Sequence, residues 1–254
     1  MKITPKKFAT AFGLLLLAAV TVLSLLNASS VPDGDIAAPL KLVQQTAKSG
    51  NHYTIIQQQA AEVSFVTQRP NKADANTLLS IPAAFTVTPN IKISGTYVLN
   101  GKVFNAKAVS HRVGGWFAIH PDGHCSIEGT NMGNKVTPEF LKDYQQPGNY
   151  GFQQIKIVSN GKPAGFKAKT LFQRRALVLN KAGKLSVMES REALTLAQFS
   201  ADIAELGAWN AAYVDMGAWD EGWYRNAAGT PITIGRDLSQ TAKQTNWVIF
   251  KRPD

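Results

Sequence analysis

The sequence predicts an α+β fold, a single domain built on a curved, mainly antiparallel or mixed β-sheet with a few packed helices. Short runs rich in β-branched and aromatic residues alternate with turn signals along most of the chain, and only a few stretches show helical spacing. No internal repeat is visible. A chain of 254 residues that is 44% hydrophobic and 17% charged can bury a proper core.

The N-terminal segment has the pattern of an export signal. Three lysines within the first seven residues precede an apolar core at 12–26, and small residues follow at 27–30. This order is typical of a secretory signal peptide, although the uncharged run is long enough to remain as a membrane anchor over residues 8–30. In either case we expect an exported domain, periplasmic or extracellular. It would contact a membrane only through this segment, if the segment is not cleaved.

The remaining chain divides into a tether and a folded domain. Residues 1–30 are the signal peptide or anchor, residues 31–50 the tether, and residues 51–254 the domain. Pro, Gly and charged residues mark the tether, which we expect to lead into a short helix around Leu40 to Ala47.

Several local patterns define the elements of the domain. Tyr53 to Ile56 and Val63 to Val66 are predicted to be paired strands, and one helical turn is predicted from Asp74 to Leu79. Asn100-Gly101 is a two-residue hairpin signal between 96–99 and 102–105. A further helical turn is predicted around 138–144. Other predicted strands are 91–94, 116–119, 155–158, 176–179, 185–188 and 247–250.

The charge balance predicts the chemistry of the partners. The net charge is +10 and stays strongly positive without the N-terminal lysines. A basic, exported protein meets anionic polymers, so a phosphorylated glycan is the expected partner. The basic residues are dispersed, without a recognition helix or an aromatic RNA-binding signature, and we therefore predict no nucleic-acid partner. A basic surface that only keeps the protein soluble is the alternative.

Cys125 is the only cysteine, which excludes an intramolecular disulfide and a thiolate metal cluster. His120 and His124 lie close in sequence, so a Cys–His nucleophile is one reading. However, Pro121-Asp122-Gly123 is a turn signal, which places the two histidines beside a hairpin tip and makes Cys125 a core residue. We predict no metal and no cofactor.

One stretch near the C-terminus organises the predicted site. Thr195 and Gln198 form a capping-box pattern, and apolar residues at helical spacing follow as far as Leu206. Gly207 can adopt the left-handed conformation that ends a helix. The chain then enters a strand at 211–214 that ends at Asp215, so this carboxylate is presented by a rigid element at the end of a sheet.

The order of these segments resembles the phosphodiester glycosidase domain of bacteria and of the enzyme that uncovers mannose 6-phosphate. The matching segments are Arg174-Arg175-Ala176, Asn180-Lys181-Ala182-Gly183-Lys184, Thr195-Leu196, Leu206-Gly207 and Ala212-Tyr213-Val214-Asp215-Met216-Gly217. Two segments depart from the family. Its Asp-Gly-Gly run is Asp215-Met216-Gly217 here, and its Asn-Gly-Gly before Phe is Pro82-Ala83-Ala84.

The resemblance implies a hydrolase that cleaves the bond between a sugar anomeric carbon and a phosphodiester. It places Arg174 at the family's arginine position, where a guanidinium would bind the departing phosphate, with Arg175 as the adjacent alternate. Asp215 is then the nucleophile or base. The alternatives are a turn aspartate that accepts backbone amide bonds, and a phosphoglycan-binding domain that keeps the fold without catalysis.

The loop after Asp215 supplies the remaining candidates. Asp220 and Glu221 could provide a second carboxylate or orient a sugar hydroxyl, and we assign the second catalytic carboxylate to Glu221 and substrate binding to Asp220. Gly217 and Trp219 are the other predicted substrate-binding residues, since sugar rings pack on aromatic faces, and Trp223 could extend that surface. Solvated loop carboxylates and core tryptophans are the alternatives.

Overall fold

The computed structural model describes residues 36–217, 219–235 and 239–253. The predicted signal peptide or anchor and the first residues of the predicted tether lie outside these ranges. Within them, no helix has both the length and the apolar character needed to cross a membrane.

Short β-strands make up most of the described chain. In chain order they are β1 (Leu40–Thr46), β2 (His52–Gln58), β3 (Glu62–Val66), β4 (Thr77–Pro82), β5 (Thr86–Val87), β6 (Lys92–Ile93), β7 (Tyr97–Leu99), β8 (Lys102–Phe104), β9 (Gly115–Ile119), β10 (Cys125–Gly129), β11 (Tyr150–Gln154), β12 (Lys156–Ser159), β13 (Lys162–Pro163), β14 (Arg175–Leu179), β15 (Leu185–Ser190), β16 (Asn210–Tyr213), β17 (Gly222–Arg225), β18 (Pro231–Ile234) and β19 (Trp247–Lys251). The helices are α1 (Pro138–Lys142) and α2 (Leu196–Glu205), with a 3-10 turn at Thr241–Lys243.

These strands form three main sheets. The largest has the order β1-β2-β15-β14-β16-β12-β13, and two five-stranded sheets have the orders β10-β9-β11-β7-β8 and β18-β17-β4-β19-β3. Strands β5 and β6 make a separate pair. The strand pairs that carry these sheets are antiparallel, as in the β14–β15 hairpin. The predicted α+β class on a mainly antiparallel sheet is therefore confirmed.

Helix α2 packs its apolar side on one face of the seven-stranded sheet. Phe199 stacks on Tyr53 with ring centroids 6.0 Å apart, and Ile203 is fully buried beside them. The Tyr53 hydroxyl donates to Asp202 of the helix at 2.7 Å. The predicted capping box is present, because Thr195 accepts a hydrogen bond from the Gln198 backbone. This packing fixes the helix across the strands that lead to Asp215.

Two local predictions are confirmed by backbone geometry. Asn100 and Gly101 have φ values of 45° and 81°, and they join β7 to β8 as the hairpin signal predicts. Gly207 has a φ of 102°, the left-handed conformation expected after α2.

Two helix predictions are wrong. Residues 40–46, assigned to the tether and to a helix, form β1, and all seven pair with β2. The period-two burial of Leu40 and Leu42 around exposed Lys41 is the strand signal. The helical turn predicted from Asp74 to Leu79 is not formed, because Thr77–Pro82 is strand β4. Every residue of β4 is buried, so its sequence shows no alternation that would distinguish it from a helix.

The predicted pairing of β2 with β3 is wrong as well. Strand β2 lies between β1 and β15, whereas β3 pairs with β19 in another sheet. Neighbouring strands often pair, but here β1, where a helix is predicted, supplies β2 with an antiparallel partner. The short connection at 59–61 consequently passes between two sheets.

Candidate functional site

Asp215 lies two residues past the end of β16. Its backbone N–H donates to the carbonyl of Ala83 at 2.9 Å, which ties this turn to the segment after β4. One carboxylate oxygen accepts bonds from the Thr86 backbone N–H at 2.8 Å and from Trp219 Nε1 at 3.1 Å. Asp215 is only 3% exposed, so its carboxyl group is held in a fixed place with little water around it.

Burial raises the pKa of Asp215 to about 7. The hydrogen bonds from Thr86 and Trp219 oppose this rise because they stabilise the ionised form, while the negative charge of Asp220 adds to it. A carboxyl group with a pKa near 7 exists in both protonation states at neutral pH. It can therefore give or take a proton there, which an ordinary aspartate does poorly.

Arg174 lies at the same end of the seven-stranded sheet and is 7% exposed. All three guanidinium nitrogens donate to protein oxygens: Nε to Leu194 O at 3.0 Å, one terminal nitrogen to Tyr213 Oη at 3.0 Å, and the other to Thr170 O at 2.9 Å. Each terminal nitrogen carries a second N–H.

Tyr213 connects Arg174 with the surroundings of Asp215. Its hydroxyl accepts from Arg174, and the pairing of Tyr213 with Ala176 brings the ends of β14 and β16 together. Burial raises the pKa of Tyr213; the positive charge of Arg174 opposes that rise, and the negative charge of Asp215 adds to it. Tyr213 is therefore bonded to Arg174 and feels the charge of Asp215, although no sequence pattern indicated a role for it.

Arg175 faces the other side of the sheet, as alternation along a strand requires. Its guanidinium is fully buried and pairs with Glu189 and, at 2.7 Å, with Asp220. Burial raises the pKa of Asp220, and the positive charge of Arg175 opposes that rise. The predicted substrate-binding residues Arg175 and Asp220 are thus engaged with each other, and a substrate role for either stays a prediction.

The other predicted residues lie in different surroundings. Glu221 forms ion pairs with Arg69 at 3.0 Å and with Lys72 at 4.0 Å, so its carboxylate belongs to a separate charged group. Trp219 is partly buried and donates to Asp215. Gly217 has a φ of 130° with open space where a side chain would begin. Trp223 is 1% exposed, so of the two alternatives for this residue the structure favours a core tryptophan.

Sequence reasoning missed the residues that hold the turn opposite Asp215. Thr86 donates to Asp215 through its backbone N–H, and a pattern of side chains cannot predict a backbone donor. Asn246 is fully buried; its side-chain oxygen accepts from Ala84 N at 2.7 Å and its amide nitrogen donates to Ala84 O at 3.0 Å. This amide from the C-terminal part of the chain therefore fixes the segment that follows β4.

Two cavities lie by the hairpin tip between β9 and β10. The larger, about 640 Å³, is lined by residues that include His120, Tyr150 and Lys251, and the smaller, about 220 Å³, by residues that include His124 and Cys125. None of the predicted site residues lines either cavity. Ala218, next to Gly217, lies outside the described residues.

The histidines flank the hairpin tip as predicted. Their rings stack with centroids 4.0 Å apart, while His124 bonds Asp122 and His120 bonds Ser126. Cys125 is buried. Among residues 36–217, 219–235 and 239–253, no group of three or more His, Cys, Asp or Glu side chains could hold a metal ion.

We expect Cys125 to be inert in the folded protein. Burial raises the pKa of its thiol to about 12, so almost no thiolate exists at pH 8. Ellman's reagent at that pH should react with less than about a tenth of the thiol over the time in which urea-unfolded protein reacts fully. Rapid labelling of the folded protein would contradict the structural reading of Cys125 and favour a reactive thiol.

The fold resembles that of several solved structures, two of which show the extent of the likeness. One is the catalytic domain of zebrafish N-acetylglucosamine-1-phosphodiester alpha-N-acetylglucosaminidase, auto-inhibited by its pro-peptide. It is 13% identical, with a TM-score of 0.57 over 89% of this chain and 85% of that chain. The likeness is one of fold. The other is a hypothetical protein from Synechocystis, 11% identical, with a TM-score of 0.56 over 88% of this chain and 65% of that chain. No protein-family model and no curated protein matches the sequence.

Proposed function

We propose that the protein is a hydrolase of the phosphodiester glycosidase type, with Asp215 as its acid–base group. The observation that carries the proposal is the buried Asp215 carboxyl group, with its pKa near 7, fixed by Thr86 and Trp219 at the end of the sheet where Arg174 also lies. The fold gives coarser support, since the zebrafish structure is by name a phosphodiester glycosidase. The substrate class is a sugar phosphodiester within a phosphorylated glycan.

The chemistry requires few groups. Breaking the anomeric carbon–oxygen bond passes through an oxocarbenium-like transition state, and the departing group is a phosphate ester that leaves readily. A cation for the departing phosphate therefore contributes more than a strong acid does. The second N–H on each terminal nitrogen of Arg174 can donate to phosphate oxygens, and Asp215 can accept a proton from the attacking water.

Neighbouring residues would support these two groups. Trp219 orients Asp215 through its indole N–H and presents an apolar face for a sugar ring, and Gly217 leaves room for the substrate to approach. Glu221 is the proposed second carboxylate, and Asp220 and Arg175 are proposed to bind substrate through a local rearrangement of their ion pair. The proposal includes export to the periplasm or the cell exterior, where phosphorylated glycans of the envelope occur.

Hydrolysis of synthetic sugar-1-phosphate methyl diesters tests this function. Wild-type protein should release free sugar and methyl phosphate, measured by chromatography, and Asp215→Asn should reduce the rate by about 10² to 10⁴-fold. Asp122→Asn makes the same chemical change at an exposed turn and should retain the wild-type rate. Equal rates for Asp215→Asn and wild type, or no release from any diester of the panel, would reject the assignment.

A phosphoglycan-binding domain without turnover is the second candidate. It is favoured by the sequence departures at Pro82-Ala83-Ala84 and Asp215-Met216-Gly217, where the resembled family carries Asn-Gly-Gly and Asp-Gly-Gly. Calorimetry with a phosphoglycan distinguishes the two functions. Binding with no hydrolysis in wild type supports the binding domain, and an affinity that Arg174→Ala leaves unchanged at low and high salt excludes Arg174 as the phosphate ligand.

A further inference from the structure

Six consecutive residues between β13 and β14 are exposed together. This segment, residues 167–172, has the sequence Lys-Ala-Lys-Thr-Leu-Phe, and we name it the basic loop. Leu171 is 60% exposed and Phe172 is 53% exposed. Single exposed apolar residues are common on proteins, but two large neighbouring ones beside two exposed lysines form a surface with both apolar and cationic character.

The stretch of sequence that contains the basic loop carries only positively charged side chains. From Tyr144 to Met188 there are eight lysines and arginines and no aspartate or glutamate. The next acidic residues along the chain are engaged elsewhere: Glu189 pairs with Arg175, and Glu192 bonds His52 at 2.8 Å. The lysines of the loop are therefore available to attract an anionic surface.

The basic loop is held in place by bonds at its C-terminal end. Phe172 exchanges two backbone hydrogen bonds with Leu194, at 3.2 and 2.8 Å. The carbonyl of Thr170 accepts from Arg174, whose guanidinium lies 5.1 Å from the centre of the Phe172 ring. These contacts fix the backbone and place Arg174 against the Phe172 ring, while more than half of Leu171 and of Phe172 stays exposed. Their exposure is thus built into the fold.

We propose that the basic loop docks on an anionic lipid surface, with Leu171 and Phe172 entering the headgroup region and Lys167 and Lys169 contacting lipid phosphates. Amphipathic surface segments bind membranes through this combination of apolar burial and electrostatic attraction. A polyanionic glycan would attract the lysines equally well, but it offers no apolar region to bury the leucine and phenylalanine side chains. An anionic lipid surface offers phosphates to the two lysines and an apolar region to Leu171 and Phe172.

Vesicle co-sedimentation of the full chain tests the docking. We expect binding to vesicles of phosphatidylcholine with about one third phosphatidylglycerol to weaken at least tenfold in Leu171→Ser/Phe172→Ser, and roughly fivefold for each lysine lost in Lys167→Ala/Lys169→Ala. Matched controls are Ile91→Ser/Met132→Ser, an exposed apolar pair, and Lys181→Ala/Lys184→Ala, an exposed lysine pair. Every variant keeps the same N-terminal segment, so differences report the loop.

A local probe keeps the test decisive if the N-terminal segment itself holds the protein on vesicles. An environment-sensitive fluorophore attached at Leu171→Cys should shift its emission to shorter wavelength on anionic vesicles and not on phosphatidylcholine alone, whereas the same label at Met132→Cys should not shift. Equal responses at both positions would overturn the proposal. So would lysine-dependent binding that is insensitive to the apolar changes and is competed by soluble polyphosphate, since that result identifies a polyanion contact.

Discussion

Replacement of Arg175 by methionine is expected to lower the free energy of unfolding by about 3 to 5 kcal/mol. The guanidinium is fully buried and is the cation between Glu189 and Asp220. Its removal leaves two carboxylates in a region of low polarity, where each must either stay ionised without this counter-charge or take up a proton. Both outcomes cost free energy that the wild-type ion pairs offset.

Urea unfolding monitored by tryptophan fluorescence measures this loss. Arg112→Met makes the same change at an exposed arginine and should alter stability by less than about 0.5 kcal/mol. The combined Arg175→Met/Glu189→Gln/Asp220→Asn variant should recover part of the loss, because it removes the uncompensated charges together with the guanidinium. A loss below about 1 kcal/mol in Arg175→Met alone would show that the ion pairs contribute little to folding.

Asp215→Asn is expected to make the folded protein more stable above neutral pH while reducing the proposed activity by about 10² to 10⁴-fold. The folded-state pKa of about 7 lies above the ordinary value of 3.8. Between these two values the unfolded chain loses the proton and the folded chain keeps it, so rising pH favours unfolding. The resulting cost is complete above about pH 7 and absent below about pH 4, and it amounts to at most about 4 kcal/mol.

The difference in unfolding free energy between Asp215→Asn and wild type should therefore grow from near zero at about pH 4 to its full value above about pH 7. Urea titrations across that range give the profile. Asp122→Asn is the control, because the bonds from His124 lower the pKa of Asp122 and its replacement should give no such gain. A difference for Asp215→Asn that is constant with pH, or that shrinks as pH rises, contradicts a raised pKa.

The sequence allows local elements to be predicted well where a single pattern determines them. The capping box of Thr195 and Gln198 begins α2, and Asn100-Gly101 joins β7 to β8, because neighbouring residues satisfy both features. The assignment of β1 as helix, and of β2 and β3 as partners, failed for a different reason. Strand pairing depends on which distant strand supplies the hydrogen bonds, and the local sequence pattern does not indicate which strand that is.

The candidate site shows the same division. The β14–β15 hairpin places Arg175 opposite Glu189, so that half of the buried ion pairs could have been predicted from the hairpin register. Asp220 reaches Arg175 from the loop before β17, a strand of a different sheet, and Thr86 reaches Asp215 through a backbone N–H. Both contacts depend on how the sheets pack together, which is why side-chain patterns along the chain did not reveal them.

One border of the seven-stranded sheet has a consequence for the behaviour of the protein at high concentration. Strand β13 is two residues long, and its Pro163 has no N–H to offer a further strand, while Lys162 is exposed beside it. Short, charged, proline-containing edges discourage other chains from extending a sheet. At the β13 edge, Pro163 and Lys162 therefore protect the sheet against edge-to-edge aggregation.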